Sequence, residues 1–180
     1  MTFPVQLDRI STESLVEQFF RKTEGRWKSV RRYYTLKTGE PPQEVTSFIS
    51  IEFLDAGHSR LVQLAKRHEF ENEMALVCGS YITWESHYEG VSRKPAKGST
   101  VFGVKGDTLY RDRGFATPKP VTARYEFRNA DTMCLYTEYN NSQFEEEIKL
   151  IGSKYRTRQT IISRDGEELT IGQYLETRLD

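Results

Sequence analysis

The sequence predicts an all-β fold, with about ten antiparallel strands in an up-and-down barrel and two short helical segments. Three observations support this prediction. Helical periodicity is clear only near the N-terminus and around residues 58–70, most other segments alternate apolar with polar side chains, and the later turns are short and regular. A long meander tends to close, because closure removes exposed strand edges. We therefore expect one domain over residues 1–180, with an N-terminal helix over 1–22 and the barrel over 25–180.

The two helices are predicted from apolar residues at helical spacing. Ser11 or Thr12 is expected to cap the first helix. Its apolar stripe consists of Leu15, Val16, Phe19 and Phe20. The second helix is expected between His58 and Phe70, where the recurring residues are Leu61, Leu64 and Ala65.

The strands are predicted from β-forming residues and from alternation. Trp27–Leu36 and Val45–Leu54 are rich in β-formers, and residues 121–128 alternate cleanly. Later strands follow turn-forming residues and are expected over Met133–Tyr139, Phe144–Ile151, Tyr155–Ser163 and Leu169–Leu179. The loop Ser92–Ser99 is expected to be a mobile, basic segment at the barrel rim.

Composition excludes several classes of protein. Lys plus Arg and Asp plus Glu each number 26, and this balance argues against a nucleic-acid or anionic-membrane binder. The 12% aromatic content argues against disorder. No apolar run has the length of a membrane span and no secretion signal is evident, so we expect a soluble protein in a reducing compartment.

Common catalytic motifs find little support. The phosphate-binding and nucleophile-elbow glycine motifs are absent, and the three histidines lack metal-ligand spacing. Cys78 and Cys134 cannot form a disulfide framework or a four-ligand metal site by themselves. Cys78 is either a small core residue or a nucleophile.

A small barrel can hold one small ligand, and several side chains suit that use. The triplet Gly25-Arg26-Trp27 resembles the opening of lipocalin-type barrels, in which the Trp plugs one end. Arg156 and Arg158 share one face of a strand and can clamp carboxylates, while Glu146 lies among apolar neighbours on the preceding strand. Alternatively, these three residues are solvated or form cross-strand ion pairs. Trp84 either packs in the core or stacks on a flat ligand.

Longer motifs cover nearly the whole chain from the first strand onward. They are Gly25–Ser29, Ser99–Gly103, Leu109–Thr117, Thr137–Asn140, Phe144–Gly152, Tyr155–Thr160 and Ile171–Leu175. Together they resemble the S-type phycobiliprotein lyases, the CpcS/CpeS chromophore lyase family. The resemblance implies a ten-stranded barrel of the lipocalin or fatty-acid-binding-protein type with an N-terminal helix.

The resemblance also implies an activity. Such a lyase binds a free linear tetrapyrrole (bilin), phycocyanobilin or phycoerythrobilin, and attaches it as a thioether to a cysteine of an apo-phycobiliprotein. The bilin is the transferred substrate, and neither a metal nor another cofactor is expected. Family members occur in the cytoplasm of cyanobacteria or in the plastid stroma, and a homodimer or a heterodimer with a related subunit is expected. Two alternatives stay open: a bilin carrier without catalysis, and a supporting subunit of a heterodimeric lyase.

Site roles follow from the same resemblance as hypotheses. Glu146 is expected to be catalytic, favouring the protonated chromophore, while Arg156 and Arg158 hold the two propionates. Trp84 is expected to stack on the tetrapyrrole. Further bilin-binding candidates, whose faces the sequence does not fix, are Tyr110 and Arg111, together with Arg113.

Overall fold

The computed structural model describes the backbone of residues 3–180 and the side chains from residue 12 onward. Within that range the helices are α1 (Phe3–Thr23) and α2 (Ser59–Arg67). The strands there are β1 (Gly25–Thr35), β2 (Gln43–Asp55), β3 (Cys78–Tyr88), β4 (Ala96–Lys105), β5 (Thr108–Arg111), β6 (Val121–Asn129), β7 (Thr132–Tyr139), β8 (Ser142–Ile151), β9 (Tyr155–Arg164) and β10 (Glu167–Arg178).

The strands form one closed antiparallel barrel. Each strand pairs with its neighbours in the chain, and β1 also pairs with β10, from Trp27 opposite Arg178 to Thr35 opposite Thr170. This last pairing leaves no free sheet edge, which is the expected benefit of closure. The predicted fold class is confirmed: an all-β, up-and-down barrel with an N-terminal helix and a second short helix.

Helix α1 closes one end of the barrel. Val16, Phe19 and Phe20 are buried in a core with side chains from the adjacent strand ends. Trp27 is fully buried at the same end, and its Nε1 donates a hydrogen bond to the carbonyl oxygen of Thr23 at 2.9 Å. The expected plug by this tryptophan therefore has a geometric basis.

The expected range of the first helix, 1–22, is close to that of α1, but the expected cap is wrong. The helix begins at Phe3 and runs through Ser11 and Thr12, so neither residue caps it. Between positions 5 and 23 the sequence contains neither Gly nor Pro, and nothing interrupts the helix there. Pro4 is compatible with the first helical turn, where its missing N–H costs no hydrogen bond.

Helix α2 lies outside the barrel. It buries Leu61, Leu64 and Ala65 against a second apolar cluster that includes Leu54 and Val101. The helix can approach the strands closely at Gly79, where a Cβ atom would lie 2.6 Å from Leu61 Cδ2 and 2.1 Å from the backbone oxygen of Phe102. α2 ends at Arg67, three residues before the end of the expected range.

The rim segment predicted over Ser92–Ser99 is shorter than expected. β4 already begins at Ala96, which pairs with Ser86 of β3, so the hydrogen-bonded ladder includes the second half of the predicted loop. The basic residues Arg93 and Lys94 remain in the connection. Neither helix, over the residues described, has the length and apolar character needed to cross a bilayer.

Candidate functional site

The barrel encloses a cavity of about 320 Å³, lined by α1 and by most of the strands. Phe19, Phe20 and Thr23 of α1 form the floor at the closed end. At the opposite end of the strands, Tyr33 and the exposed Arg113 line the opening. A cavity of this size that combines apolar walls with a few convergent polar groups is typical of a small-molecule site.

Trp84 forms a flat aromatic wall of this cavity. Its indole lies directly against Gly98 of β4, where a Cβ atom would lie 2.3 Å from the ring. Any side chain at position 98 would therefore displace the indole. The half-buried ring lines the cavity beside the Arg113 guanidinium, and an aromatic wall of this kind suits a flat conjugated ligand.

The connection between β5 and β6 folds against the opening. Phe115 lines the cavity and stacks on Phe144, with ring centroids 4.7 Å apart and an interplanar angle of 13°. Tyr139 also stacks on Phe144 at 5.0 Å, and its hydroxyl accepts a hydrogen bond from the Ala116 N–H at 2.8 Å. These contacts hold the connection in place at the cavity mouth.

The first internal ion pair joins Arg156 of β9 to Glu176 of β10. These residues are directly opposite in the ladder, and Arg156 Nε lies 2.8 Å from Glu176 Oε1. The side chains are 6% and 0% exposed, and the guanidinium lies over Trp27. Burial by itself raises the pKa of Glu176, but attraction by Arg156 and Arg158 outweighs it and lowers that pKa overall. Glu176 is therefore a charged residue in the barrel interior.

The second pair joins Arg158 to Glu146 of β8 by a direct hydrogen bond. The Arg158 side chain is 21% exposed and lines the cavity, whereas Glu146 is 2% exposed and lies behind it. Burial acts to lower the pKa of Arg158, but the attraction of Glu146 and other acidic groups raises it overall. Both arginines thus form the cross-strand ion pairs that the sequence left open as an alternative.

Arg111 is the third internal arginine. It is 8% exposed, lines the cavity, and its guanidinium carbon lies 4.8 Å from the ring centroids of both Phe102 and Phe115. Burial lowers the pKa of this guanidinium more than nearby charges raise it. Its position confirms that this residue of β5 points inward.

Tyr110, the neighbouring candidate, does not belong to the cavity. Its ring packs outside the barrel against Phe70 at 4.9 Å and His68 at 5.1 Å. Alternation along β5 requires this, because Leu109 and Arg111 face inward. Tyr110 is thus part of the apolar cluster beneath α2, and its expected contact with a ligand in the cavity has no geometric support.

The predicted residues therefore divide into three groups. Arg156, Arg158, Arg111, Trp84 and Arg113 line the cavity, Glu146 lies behind Arg158, and Tyr110 lies outside. The sequence analysis did not identify Glu176 as an internal acid. Alternation along β10 could have indicated it, because Glu176 is on the same face as Tyr174, which lines the cavity.

The two cysteines of the chain are poorly placed for nucleophilic chemistry. Cys78 is buried in the core at the closed end, and burial raises the pKa of its thiol to about 12. Cys134 is also buried, and burial raises the pKa of its thiol. Among the side chains described, no group of His, Cys, Asp and Glu has the arrangement of a metal site.

Comparisons with known proteins agree with this geometry. A protein of Nostoc sp. named "Putative phycocyanobilin lyase CpcS 2" is 55% identical over 174 residues, which cover 97% of this chain and 96% of that protein. A protein of Picosynechococcus sp. named "Putative chromophore lyase CpcV" is 51% identical over 161 residues, covering 89% of this chain and 80% of that protein.

Structural comparison supports the same fold. The S-type phycobiliprotein lyase CpeS from Guillardia theta superimposes with a TM-score of 0.78 and 24% identity, covering 97% of each chain. A family profile described as CpeS-like protein matches residues 15–179. The chain therefore belongs to the CpeS-like protein family.

Proposed function

We propose that this protein is a chromophore lyase that binds phycocyanobilin or phycoerythrobilin and attaches it to a cysteine of an apo-phycobiliprotein. Membership of the CpeS-like family and lyase-named relatives that match nearly the full chain support this function. The observation that carries it is the barrel cavity, which combines aromatic walls with arginines at several depths.

The cavity suits the chemistry of a bilin. A linear tetrapyrrole is flat, conjugated and largely apolar, so Trp84 and Phe115 offer surfaces on which it can stack. It carries two propionates, and guanidinium groups bind carboxylates through charge-assisted hydrogen bonds. Its pyrrole N–H groups require an acceptor once they leave water.

Arg158 and Glu146 supply both kinds of partner. Arg158 is accessible from the cavity, so a propionate can compete with Glu146 for its guanidinium. Glu146 then becomes free to accept a hydrogen bond from a pyrrole N–H. A carboxylate at that position favours the protonated chromophore, and protonation makes the ethylidene carbon more electrophilic. Arg156 is ion-paired with Glu176 and holds the floor of the site in position.

The attacking thiol comes from the acceptor protein. Its S–H adds across the ethylidene double bond: sulfur bonds to the exocyclic carbon, the tetrapyrrole takes up one proton, and no group leaves. The step needs no oxidant or reductant. The lyase contributes by holding the bilin in one conformation with one face presented, which is catalysis by orientation.

The test is a transfer assay with purified protein, free bilin and apo-phycobiliprotein. After denaturation, we expect pigment to remain on the acceptor well above the level of spontaneous attachment. If the protein is only a carrier, it will bind bilin but will not raise attachment above the spontaneous level. A supporting subunit predicts acceleration only after a related lyase subunit is added. If neither transfer nor bilin binding occurs, the proposal fails.

We further propose that the chain acts as a dimer, either with itself or with a related lyase subunit. Exposed apolar side chains cross three adjacent strands on the outer surface: Phe48 of β2, Val30 of β1 and Leu175 of β10. Val30 and Leu175 are directly opposite in the ladder, and Phe48 is diagonal to Val30, two positions along β2 from its partner Thr46. Sedimentation of wild type and of a Leu175→Lys variant tests this, and an unchanged mass for the variant would exclude this patch as the interface.

A further inference from the structure

Arg111 differs from Arg156 and Arg158, the other two internal arginines, because it has no carboxylate partner among the described residues. Arg156 and Arg158 each contact a buried glutamate, whereas no side-chain hydrogen bond or ion pair of Arg111 is found in the described part of the chain. Its Nε atom, like that of Arg158, is buried without a described hydrogen-bond partner, so the missing carboxylate is what sets Arg111 apart. A buried guanidinium normally has a carboxylate or several acceptors around it.

The two carboxylates whose charges act on Arg111, those of Glu146 and Asp112, are engaged elsewhere. Glu146 is bonded to Arg158, and Asp112 accepts hydrogen bonds from Thr100 Oγ1 at 2.7 Å and from the Val101 N–H at 3.1 Å. Neither carboxylate lies within ion-pair distance of Arg111 in the described structure. The positive charge therefore faces the cavity without a matching negative charge.

The surroundings fix the direction of this guanidinium. The rings of Phe102 and Phe115 flank it at equal distance, and both rings also line the cavity. Outside the barrel, His68 Nε2 lies 2.8 Å from the Arg111 carbonyl oxygen, so the end of α2 anchors the backbone. The donor atoms are thus held in place before a ligand arrives, which lowers the entropy lost on binding.

We infer that Arg111 recognises a carboxylate of the ligand, one propionate if the proposed bilin binding holds. A carboxylate supplies the two features that the site lacks: a negative charge and acceptor atoms for the fork of N–H groups. Arg111 selects the tetrapyrrole acid over its uncharged ester. Arg158 remains available for the second propionate.

The test is a binding cycle that changes the protein and the ligand separately. Phycocyanobilin and its dimethyl ester are titrated against wild type and against Arg111→Gln, without any acceptor protein. We expect wild type to prefer the acid, and Arg111→Gln to reduce that preference by roughly 10- to 100-fold, as for loss of a charge-assisted hydrogen bond. The matched control is Arg124→Gln, which removes an exposed arginine that lies over Tyr136 outside the cavity.

A second measurement separates recognition from a structural role. Because Arg111 is a buried charge without a partner, replacing it with Met should leave the Tm of the ligand-free protein unchanged or raise it, while acid binding weakens. An acid preference that Arg111→Gln leaves intact overturns the inference, and so does a marked loss of Tm in Arg111→Met together with full acid preference. A third outcome separates the two proposals. If Arg111→Gln loses the preference for the acid while wild type transfers no pigment in the transfer assay, the lyase function is rejected and this inference stands.

Discussion

At the scale of single residues, Glu176 is a buried acid whose charge depends on its neighbours. Arg156 and Arg158 lower its pKa below the ordinary value of 4.5, although burial opposes them. A carboxyl group whose pKa is lower in the folded protein stabilises the fold when the pH is above its unfolded pKa. That stabilisation is lost as the pH falls from about 4.5 through the folded pKa.

We therefore predict that the free energy of unfolding decreases as the pH falls below about 4.5. Denaturant titrations at several pH values measure this decrease. A double variant, Arg156→Met with Glu176→Leu, should show a flatter profile, because it removes the titrating group without leaving a buried charge unpaired. Glu145→Gln, which removes an exposed carboxylate of β8, is the control and should keep the wild-type slope. Parallel profiles for wild type and the double variant would contradict this account of Glu176.

Cys78 provides a second prediction at this scale. Its thiol is buried and has a pKa raised to about 12, so almost none of it is thiolate near neutral pH. Cys78→Ala should transfer bilin at a rate within about twofold of wild type, with some loss of stability from the small cavity created. A folded Cys78→Ala variant that binds bilin but transfers none would instead require covalent catalysis by this residue.

At the scale of elements, the contact between α2 and the barrel depends on small residues beneath the helix. We predict that Gly79→Ala destabilises the protein by about 1–3 kcal/mol, because the new methyl group would collide with the Phe102 backbone and Leu61. Thr83→Ala, on the same outer face of β3, is the control and should have a smaller effect. The difference in free energy of unfolding between the two variants measures the effect, and equal losses would show that the close approach is not required.

The elements also show what the sequence can and cannot predict. Strict alternation placed Arg156 and Arg158 on one face of a strand and Glu146 among apolar residues of the preceding strand, because the side-chain period of a strand is two. That these faces point into the barrel is shown only by the structure. The partner of Arg156 was not predictable, since it depends on the register between β9 and β10, which is shifted near Glu168.

Tyr110 was misplaced for a different physical reason. β5 has only four residues, and α2 covers its outer face, so neither face is clearly polar. With both faces buried, hydrophobic alternation no longer tells inside from outside. The cap of α1 was also assigned wrongly, because Ser11 and Thr12 are good capping residues that the structure places inside a continuous helix.

At the scale of the whole molecule, the closed sheet should unfold as one unit. The first and last strands pair along nine registered positions, so opening any strand disrupts the closure of the barrel. The two tryptophans belong to one apolar cluster across β1–β3, with Trp27 fully buried and Trp84 half-buried on the cavity wall. The Trp84→Phe variant keeps only Trp27, and the Trp27→Phe variant keeps only Trp84. We predict that, within each variant, tryptophan fluorescence and circular dichroism give the same denaturant midpoint. Separate midpoints within one variant would show that part of the barrel opens independently.

The plug formed by α1 has a kinetic consequence. Because Phe19, Phe20 and Trp27 close the floor, the proposed bilin binding requires that pigment enter and leave through the mouth lined by Tyr33 and Arg113. An acceptor protein that reaches the bilin must cover that same mouth. We therefore predict ordered loading, with bilin first and acceptor second, and slower turnover when excess acceptor occupies empty barrels in dead-end complexes.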